Sequence, residues 1–167
     1  MNIDVIELLE KMGAQLQQHV SDASHEDPII IGVHTGGVWI AQYLHQYTAN
    51  TSPVGELNIA FYRDDFSRIG LHPTVEPSKL PFDVNDRHLI LVDDILYTGR
   101  TIRAAMNEIF DYGRPSSITL VALVERGGRE LPIQPDIVGT QLNLTSSEHV
   151  KLLGPDPLRL ELSEAKT

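Results

Sequence analysis

One segment in the middle of the chain restricts the possible folds more than any other. In it, a run of aliphatic residues is followed by two adjacent acids, a polar turn and a helical pattern. Residues 89–92 are all Leu, Ile or Val, which is typical of a strand buried on both faces. Asp93 and Asp94 follow, and residues 98–101 lead into a helix predicted over residues 101–112. Such a strand, turn and helix predict a parallel sheet with helical connections.

Strand patterns and helix patterns alternate over most of the rest of the chain. This alternation predicts an α/β fold with a central, mostly parallel sheet flanked by helices. At 167 residues the chain has the length of a single domain, which we assign to residues 1–167. Helices are predicted over residues 3–20 and 38–47, and strands over residues 28–33, 54–62, 88–92 and 118–124. Short strand patterns follow at residues 136–138, 141–144, 150–153 and 158–162.

Composition excludes several classes of protein. The chain has no cysteine, so it has neither disulfides nor thiolate metal ligands. Its net charge of −10 disfavours nucleic-acid binding, which depends on Lys and Arg to neutralise phosphates. The first residues lack the pattern of a signal peptide, and no apolar run approaches the length of about 20 residues that a membrane span needs. We therefore expect a cytoplasmic protein that does not bind membranes.

The acids and the turn after the buried strand suit a sugar phosphate. Helix N-termini offer unpaired backbone N–H groups to phosphate, Gly99 allows close approach, and Thr98 and Thr101 add hydroxyl donors. Asp93 and Asp94 suit a ribose diol and Mg²⁺. Phosphoribosyl pyrophosphate carries the phosphate, the diol and a metal-binding diphosphate in one molecule. The alternative is an ordinary capped helix start with acids in its turn.

Residues 89–101 resemble the phosphoribosyl pyrophosphate signature of type I phosphoribosyltransferases. The wider chain resembles the family of bifunctional pyrimidine operon regulators and uracil phosphoribosyltransferases, in residues 62–65, 80–84, 113–115, 124–127 and 129–133. The resemblance covers roughly residues 32–139. It implies the type I phosphoribosyltransferase fold with a small C-terminal hood, a requirement for Mg²⁺, and conversion of uracil and phosphoribosyl pyrophosphate to UMP and pyrophosphate.

The resemblance also implies roles for individual residues. Asp93 and Asp94 are expected to act in catalysis and metal binding, together with Arg63 as a catalytic cation. Asp93 and Asp94 are also expected to bind the phosphoribosyl group, together with residues of the following turn, which are Tyr97, Thr98, Gly99, Arg100 and Thr101. The pyrophosphate ligands are expected to be Thr35, Gly36, Gly37 and Arg63. Arg63 is included because the loop at residues 33–37 lacks the basic residue usual in the family.

The resemblance places the base near the end of a later strand, at Val124 and Arg126, where mainly backbone groups of residues 124–127 and the C-terminal hood would contact it. Residues 67–79 resemble a mobile flap, from which Arg68, His72 and Lys79 could approach pyrophosphate. A surface position is favoured for each of these three cations, and a structural role for His34. Arg63 is equally compatible with a solvated, salt-bridged turn.

Three alternatives remain for the function. Purine-salvage relatives carry an acid at the position of Tyr97, so a pyrimidine acceptor is favoured over hypoxanthine or guanine. Loss of the basic loop residue instead favours a nucleotide sensor with little activity. Basic residues of the RNA-attenuating members are also missing, since the first helix has only Lys11 and such positions hold Gly128, Gln134 and Thr140. We therefore expect no specific RNA binding, and the resemblance implies a homo-oligomer.

Overall fold

The computed structural model describes residues 3–59 and 78–165. In order, the elements are α1 (Val5–Asp22), β1 (Ile29–Val33), α2 (Gly36–Leu44), a 3-10 helix (His45–Tyr47), β2 (Gly55–Leu57), β3 (His88–Leu96), α3 (Arg100–Tyr112), β4 (Ser117–Arg126), β5 (Ile137–Leu142), β6 (Glu148–Leu153) and β7 (Arg159–Glu164). No helix within these two stretches is long and apolar enough to cross a lipid bilayer.

The centre of the fold is a five-stranded sheet in the order β2-β1-β3-β4-β5. Every neighbouring pair in it is parallel. Parallel strands need crossover connections, which α2 supplies between β1 and β2 and α3 supplies between β3 and β4. The α/β fold class predicted from the sequence is therefore confirmed, and the carboxyl ends of the strands lie at one edge of the sheet.

Both faces of the sheet are covered by helices, because alternate side chains of each strand point to opposite faces. Ile30, Ile90 and Val92 pack in one apolar cluster with residues of α1 and α2. Ile29 and Leu91 pack in a second cluster with residues of α3. Burial on both faces explains why these strands have continuous aliphatic sequences rather than alternating ones.

The third strand is longer than its sequence pattern predicts. The aliphatic run ends at Val92, but β3 continues to Leu96 because its pairing with β4 continues, with Asp93 opposite Ala122 and Ile95 opposite Val124. Both acids are therefore part of the ordered sheet edge. Backbone pairing fixes their positions more firmly than a flexible turn would.

The C-terminal strand patterns form two units. The pieces predicted at residues 136–138 and 141–144 merge into β5, the edge strand of the sheet. β6 and β7 pair antiparallel in a separate two-stranded unit, which we call the C-terminal hairpin. Leu152 and, less deeply, Val150, Leu158 and Leu160 pack against the core cluster that contains α1 and α2. The hairpin is thereby attached to one face of the domain.

Three histidines meet at the amino-terminal edge of the sheet. The ring of His25 stacks on that of His88 with centroids 3.9 Å apart, and the ring of His19 meets His25 edge-on at 6.3 Å. His88 Nδ1 is 2.8 Å from Ser117 Oγ. Burial, then the charges of His88 and His19, lower the pKa of His25 below its ordinary value of 6.5.

The lowered pKa of His25 predicts a pH-dependent stability. Between that pKa and 6.5 the unfolded chain binds more protons than the folded chain, so the free energy of unfolding rises with pH and then levels off. Urea unfolding from about pH 5.5 to about pH 7.5 measures this rise. We expect His25→Asn to reduce it, while His149→Asn, at an exposed position in β6, should preserve it. If the free energy of unfolding of His25→Asn rose with pH as steeply as that of the wild type, the rise could not be attributed to the lowered pKa of His25.

Candidate active site

A cleft of about 650 Å³ lies at the carboxyl edge of the sheet. Ligands of open α/β sheets bind at this edge, where the loops after the strands converge. The cleft is bounded by the ends of β1, β3 and β4, by the starts of α2 and α3, and by β6 of the C-terminal hairpin. Its lining residues are Thr35, Gly36, Trp39, Asp93, Asp94, Ile95, Tyr97, Thr101, Arg126, Val150, Lys151 and Leu152.

The two acids are held by the backbone at the end of β3. Asp93 is buried, with 3% of its surface exposed, and its Oδ1 accepts the N–H of Asp94 at 2.9 Å. Asp94 Oδ1 in turn accepts the N–H of Ile95 at 2.9 Å. Both carboxylates border the cleft in fixed orientations, because a side chain tied to the next backbone amide loses rotamer freedom.

The turn between β3 and α3 is shaped by Gly99, which caps the helix with φ of +92°. That backbone conformation is strained for residues with a Cβ. The carbonyl of Thr98 accepts the N–H groups of Glu130 and Leu131, each at 3.0 Å, and Thr98 Oγ1 accepts the N–H of Arg100 at 3.2 Å. The turn is therefore braced from behind by the segment that follows β4.

Arg100 and Thr101 differ in what they offer to the cleft. Arg100 Nε donates to Glu130 Oε2 at 2.8 Å on the exposed surface, which directs its guanidinium along the outside of the turn. Thr101, in the first turn of α3, lines the cleft. Among the side chains of this turn, Tyr97 and Thr101 border the open space, and Arg100 does not.

The loop between β1 and α2 packs directly on the end of β3. A Cβ added to Gly36 would lie 2.4 Å from Asp94 Oδ2, and one added to Gly37 would lie 2.5 Å from the carbonyl oxygen of Val92. Thr35 and Gly36 line the cleft, while Gly37 is buried behind them. The three residues predicted to bind pyrophosphate therefore lie beside the predicted acids.

His34 has a partner outside the cleft. Its Nε2 lies 2.7 Å from Glu56 Oε2, and the peptide bond between His34 and Thr35 is cis. The His34 backbone N–H donates to the Leu57 carbonyl at 2.9 Å, which ties the loop to β2. These contacts support the structural role that the sequence left open for His34.

Arg126, the last residue of β4, connects the turn to the C-terminal hairpin. Its guanidinium carbon lies 4.0 Å from the centre of the Tyr97 ring. Nη1 donates to the Glu148 carbonyl at 3.3 Å and Nη2 to the Thr145 carbonyl at 3.2 Å. Arg126 is 6% exposed, and its Nε has no hydrogen-bond partner within residues 3–59 and 78–165. This buried donor beside the cleft is suited to an acceptor atom of a ligand.

The carbonyls that Arg126 reaches belong to a preordered turn. Glu148 Oε2 accepts the N–H and the hydroxyl of Thr145, each at 2.8 Å. These hydrogen bonds, followed by the charge of Arg126, lower the pKa of Glu148 against the opposing effect of desolvation. Above that pKa the ionised carboxylate of Glu148 accepts both hydrogen bonds, which order the turn. The ordered turn presents two carbonyl groups to Arg126.

The remaining predicted site residues are Val124 and Arg63. Val124 is completely buried in the core and does not line the cleft, because its side chain points into the cluster with α1 and α2. Arg63 lies outside the described residues, as do Arg68 and His72. Lys79 is described, and its backbone pairs with that of Glu56 at 2.7 and 2.8 Å.

Sequence reasoning missed the cleft residues of α2 and the hairpin. Trp39, Val150, Lys151 and Leu152 all line the cleft. The pattern at residues 150–153 did predict a strand, and Trp39 lies three residues after Gly36, on the same side of a helix. That spacing was the one signal that could have identified Trp39. For Lys151 the sequence held no signal, since it does not say which face of β6 meets the cleft.

Comparison with known proteins agrees with this geometry. The model of the family "Phosphoribosyl transferase domain" matches residues 4–156. Proteins named "Bifunctional protein PyrR" are similar along nearly the whole chain. The one from Nitrosococcus oceani is 58% identical over 164 residues, covering 97% of this chain and 92% of the relative. The one from Pseudomonas paraeruginosa is 55% identical over 155 residues, covering 93% and 91%.

Solved structures show the same fold at low identity. A hypoxanthine-guanine phosphoribosyltransferase from Bacillus anthracis superposes with a TM-score of 0.68 at 19% identity, covering 86% of this chain and 84% of that one. A purine phosphoribosyltransferase from Pyrococcus horikoshii gives a TM-score of 0.61 at 21% identity, covering 81% and 83%. The shared sheet and the family match confirm the predicted fold and family. This chain therefore belongs to the phosphoribosyltransferase family, in the group whose members are named Bifunctional protein PyrR.

Proposed function

We propose that this chain transfers the 5-phosphoribosyl group of phosphoribosyl pyrophosphate to uracil, giving UMP and pyrophosphate. The observation that carries the proposal is the pair Asp93 and Asp94, fixed beside the start of α3 in the same cleft as the unpartnered Arg126 Nε. The acids suit the ribose, the helix start suits its phosphate, and the guanidinium suits a carbonyl of the base. Membership of the phosphoribosyltransferase family supports the same assignment.

The 5-phosphate binds at the turn before α3. Backbone N–H groups at a helix start are unpaired within the helix and carry partial positive charge, so they attract a dianion. Thr98 and Thr101 add hydroxyl groups, and Gly99 keeps side-chain volume away from the phosphate. Tyr97 forms the wall of the cleft beside them, and Arg100 holds the shape of the turn through its backbone N–H bond to Thr98 Oγ1 and its side-chain bond to Glu130.

The carboxylates fit Mg²⁺. Asp93 and Asp94 both border the cleft, Asp93 being the more deeply buried, so oxygen ligands are available on the protein side. Mg²⁺ is usually held by one or two carboxylates together with water and substrate phosphates, and this pair supplies two carboxylates. When bound, Mg²⁺ would neutralise charge on the diphosphate. Asp93 and Asp94 would hold it and orient the ribose hydroxyls.

The chemical step needs positioning and charge stabilisation rather than a nucleophilic side chain. The bond between ribose C1 and the diphosphate oxygen breaks with its electron pair on the diphosphate. A bond forms from uracil N1 to C1, and the N1 proton is released. Positive charge develops on the ribose during this exchange, and the carboxylates of Asp93 and Asp94 stabilise it. Thr35, Gly36 and Gly37 hold the departing diphosphate through backbone N–H groups.

The base binds beside Arg126. Its Nε–H is directed to a uracil carbonyl, while the other two nitrogens stay with the hairpin carbonyls. This arrangement supplies a donor to an acceptor on the base, and the hairpin covers the opposite side through Val150 and Leu152. A buried donor that is left unpaired strongly disfavours a base without a matching acceptor.

Pyrophosphate release with a set of bases tests the proposed function. We expect turnover with uracil, and at least about a hundredfold lower kcat/KM with hypoxanthine, guanine or orotate. Preference for a purine would refute the pyrimidine assignment. Absence of turnover with every base, combined with tight UMP binding, would instead show a nucleotide sensor.

The name of the relatives describes them as bifunctional, and we propose that the second role here is a pyrimidine-nucleotide-responsive regulation that does not use specific RNA binding. The charge of −10 supports this restriction. Several cations are also engaged within the chain, in ion pairs of Lys11 with Glu7, Arg87 with Asp27, Arg100 with Glu130, and Arg129 with Glu125.

We therefore expect no shift of pyrimidine leader RNA in a gel at physiological salt, with or without UMP. A shift at nanomolar protein that survives competition by unrelated RNA would overturn this prediction. A weak shift that disappears on adding salt would be non-specific and would agree with it.

A further inference from the structure

We propose that Lys151, on β6 of the C-terminal hairpin, binds the diphosphate group of the donor. The proposal rests on the proposed function, since it concerns the same cleft and the same donor. It assigns to the hairpin a contact with the leaving group, in addition to covering the base. The site is the position where Lys151, Trp39 and Leu152 separate the cleft from a neighbouring cavity of about 380 Å³.

Among the described residues, few cations lie near the diphosphate end of the cleft. A diphosphate carries several negative charges, and Asp93 and Asp94 lie close to it in the same space. A single Mg²⁺ offsets only part of that charge. The loop from β1 to α2 contributes backbone N–H groups and no cationic side chain, since His34 is engaged with Glu56.

Two cations line the cleft within the described part of the chain, Arg126 and Lys151. The Nη atoms of Arg126 donate to the carbonyls of Thr145 and Glu148, and its guanidinium covers the Tyr97 ring. Lys151 pairs through its backbone with β7, opposite Glu161, but its exposed side chain has no hydrogen bond or ion pair with residues 3–59 or 78–165. Its ammonium group is therefore available to a ligand at little conformational cost.

The position of Lys151 matches the diphosphate end of the donor. The 5-phosphate occupies the start of α3, so the diphosphate on ribose C1 extends towards the other helix start, at Gly36. Trp39 lies one turn further along α2 on the side of Gly36, and Lys151 lines the same two cavities as Trp39. Lys151 and Trp39 therefore border the same part of the cleft, on the side of the start of α2.

The hairpin supplies a matched control. Arg159, at the start of β7, lines the neighbouring cavity but not the cleft. Like that of Lys151, its side chain has no hydrogen bond or ion pair within the described residues. Arg159→Met and Lys151→Met remove the same charge from the same hairpin. A general effect of net charge would appear equally in both variants, whereas a direct contact would appear only in Lys151→Met.

The test measures binding of inorganic pyrophosphate with Mg²⁺ and of ribose 5-phosphate by calorimetry, and the KM for phosphoribosyl pyrophosphate. We expect Lys151→Met to weaken pyrophosphate binding and to raise that KM about tenfold, with ribose 5-phosphate binding changed less than about twofold. Lys151→Arg should restore most of the affinity. Arg159→Met should stay within about twofold of wild type in all three measurements.

The possible results separate this proposal from the proposed function. Normal pyrophosphate affinity in Lys151→Met, or an equal loss in Arg159→Met, overturns the role of Lys151 while turnover with uracil still stands. A selective loss in Lys151→Met together with a preference for another base supports Lys151 and overturns uracil as acceptor. A wild-type protein that binds neither pyrophosphate nor phosphoribosyl pyrophosphate overturns both.

Discussion

Replacing both Asp93 and Asp94 by asparagine is expected to reduce Mg²⁺-dependent pyrophosphate release at least about twentyfold, to a few per cent of the wild-type rate. The amide has nearly the same shape as the carboxylate, so the backbone contacts at the end of β3 are largely retained. It carries no charge, so it neither holds Mg²⁺ well nor stabilises positive charge on the ribose. Initial rates across a Mg²⁺ titration measure the loss.

The control for the double variant removes the same charge elsewhere. Asp22 and Asp111 are exposed at the ends of α1 and α3, so Asp22→Asn with Asp111→Asn changes the net charge equally without touching the cleft. Circular dichroism should show a folded domain for both double variants. Retained turnover above a few per cent with Asp93 and Asp94 replaced would exclude the mechanism, because no other carboxylate lines the cleft among the described residues.

The second large effect is expected from Arg126→Met, which should lower kcat/KM for uracil at least about thirtyfold. Methionine fills similar space but cannot donate to the base or to the carbonyls of Thr145 and Glu148. The hairpin would lose its connection to the turn at Tyr97, and the base would lose the Nε donor. We expect a smaller change in KM for phosphoribosyl pyrophosphate, since its phosphate binds at the start of α3.

Arg126→Lys separates charge from geometry. Lysine keeps a cation near the Tyr97 ring but lacks the planar fork that reaches two carbonyls and a ligand at once. We expect it to recover hairpin packing, measured by thermal unfolding, and to remain impaired with uracil. Full activity of Arg126→Lys would mean that the Nε donor does not recognise the base.

The fold was predictable because both faces of the sheet are buried. Continuous aliphatic runs such as residues 89–92 are readily assigned as buried strands, and Gly113 and Pro115 mark the end of the following helix. The acids at the strand end were predictable for the same reason, since parallel strands bring their carboxyl ends to one edge. The position where β3 ends was not predictable from the sequence, because pairing with β4, rather than the local sequence, extends the strand to Leu96.

The contribution of the hairpin to the cleft depends on tertiary packing and was not predictable. Leu152 and Leu160 attach the hairpin to the core, and this attachment brings Val150, Lys151 and Leu152 to the edge of the cleft. The side chain of Val124 is part of the core, which is compatible with the expectation that this segment contacts the base through its backbone. Arg126, two residues later, lies on the same face of the strand but at its end, beyond the helices.

The contact between Gly36 and Asp94 restricts how this enzyme could acquire a different loop. With 2.4 Å between a would-be Cβ at position 36 and the carboxylate, the two positions compete for one volume. A larger residue at position 36 demands either a shorter one at 94 or a loop displaced from the sheet, so the two sites should covary among homologues. A lineage with this glycine has no cationic side chain at the loop position nearest Asp94, so positive charge for its leaving group comes from other residues.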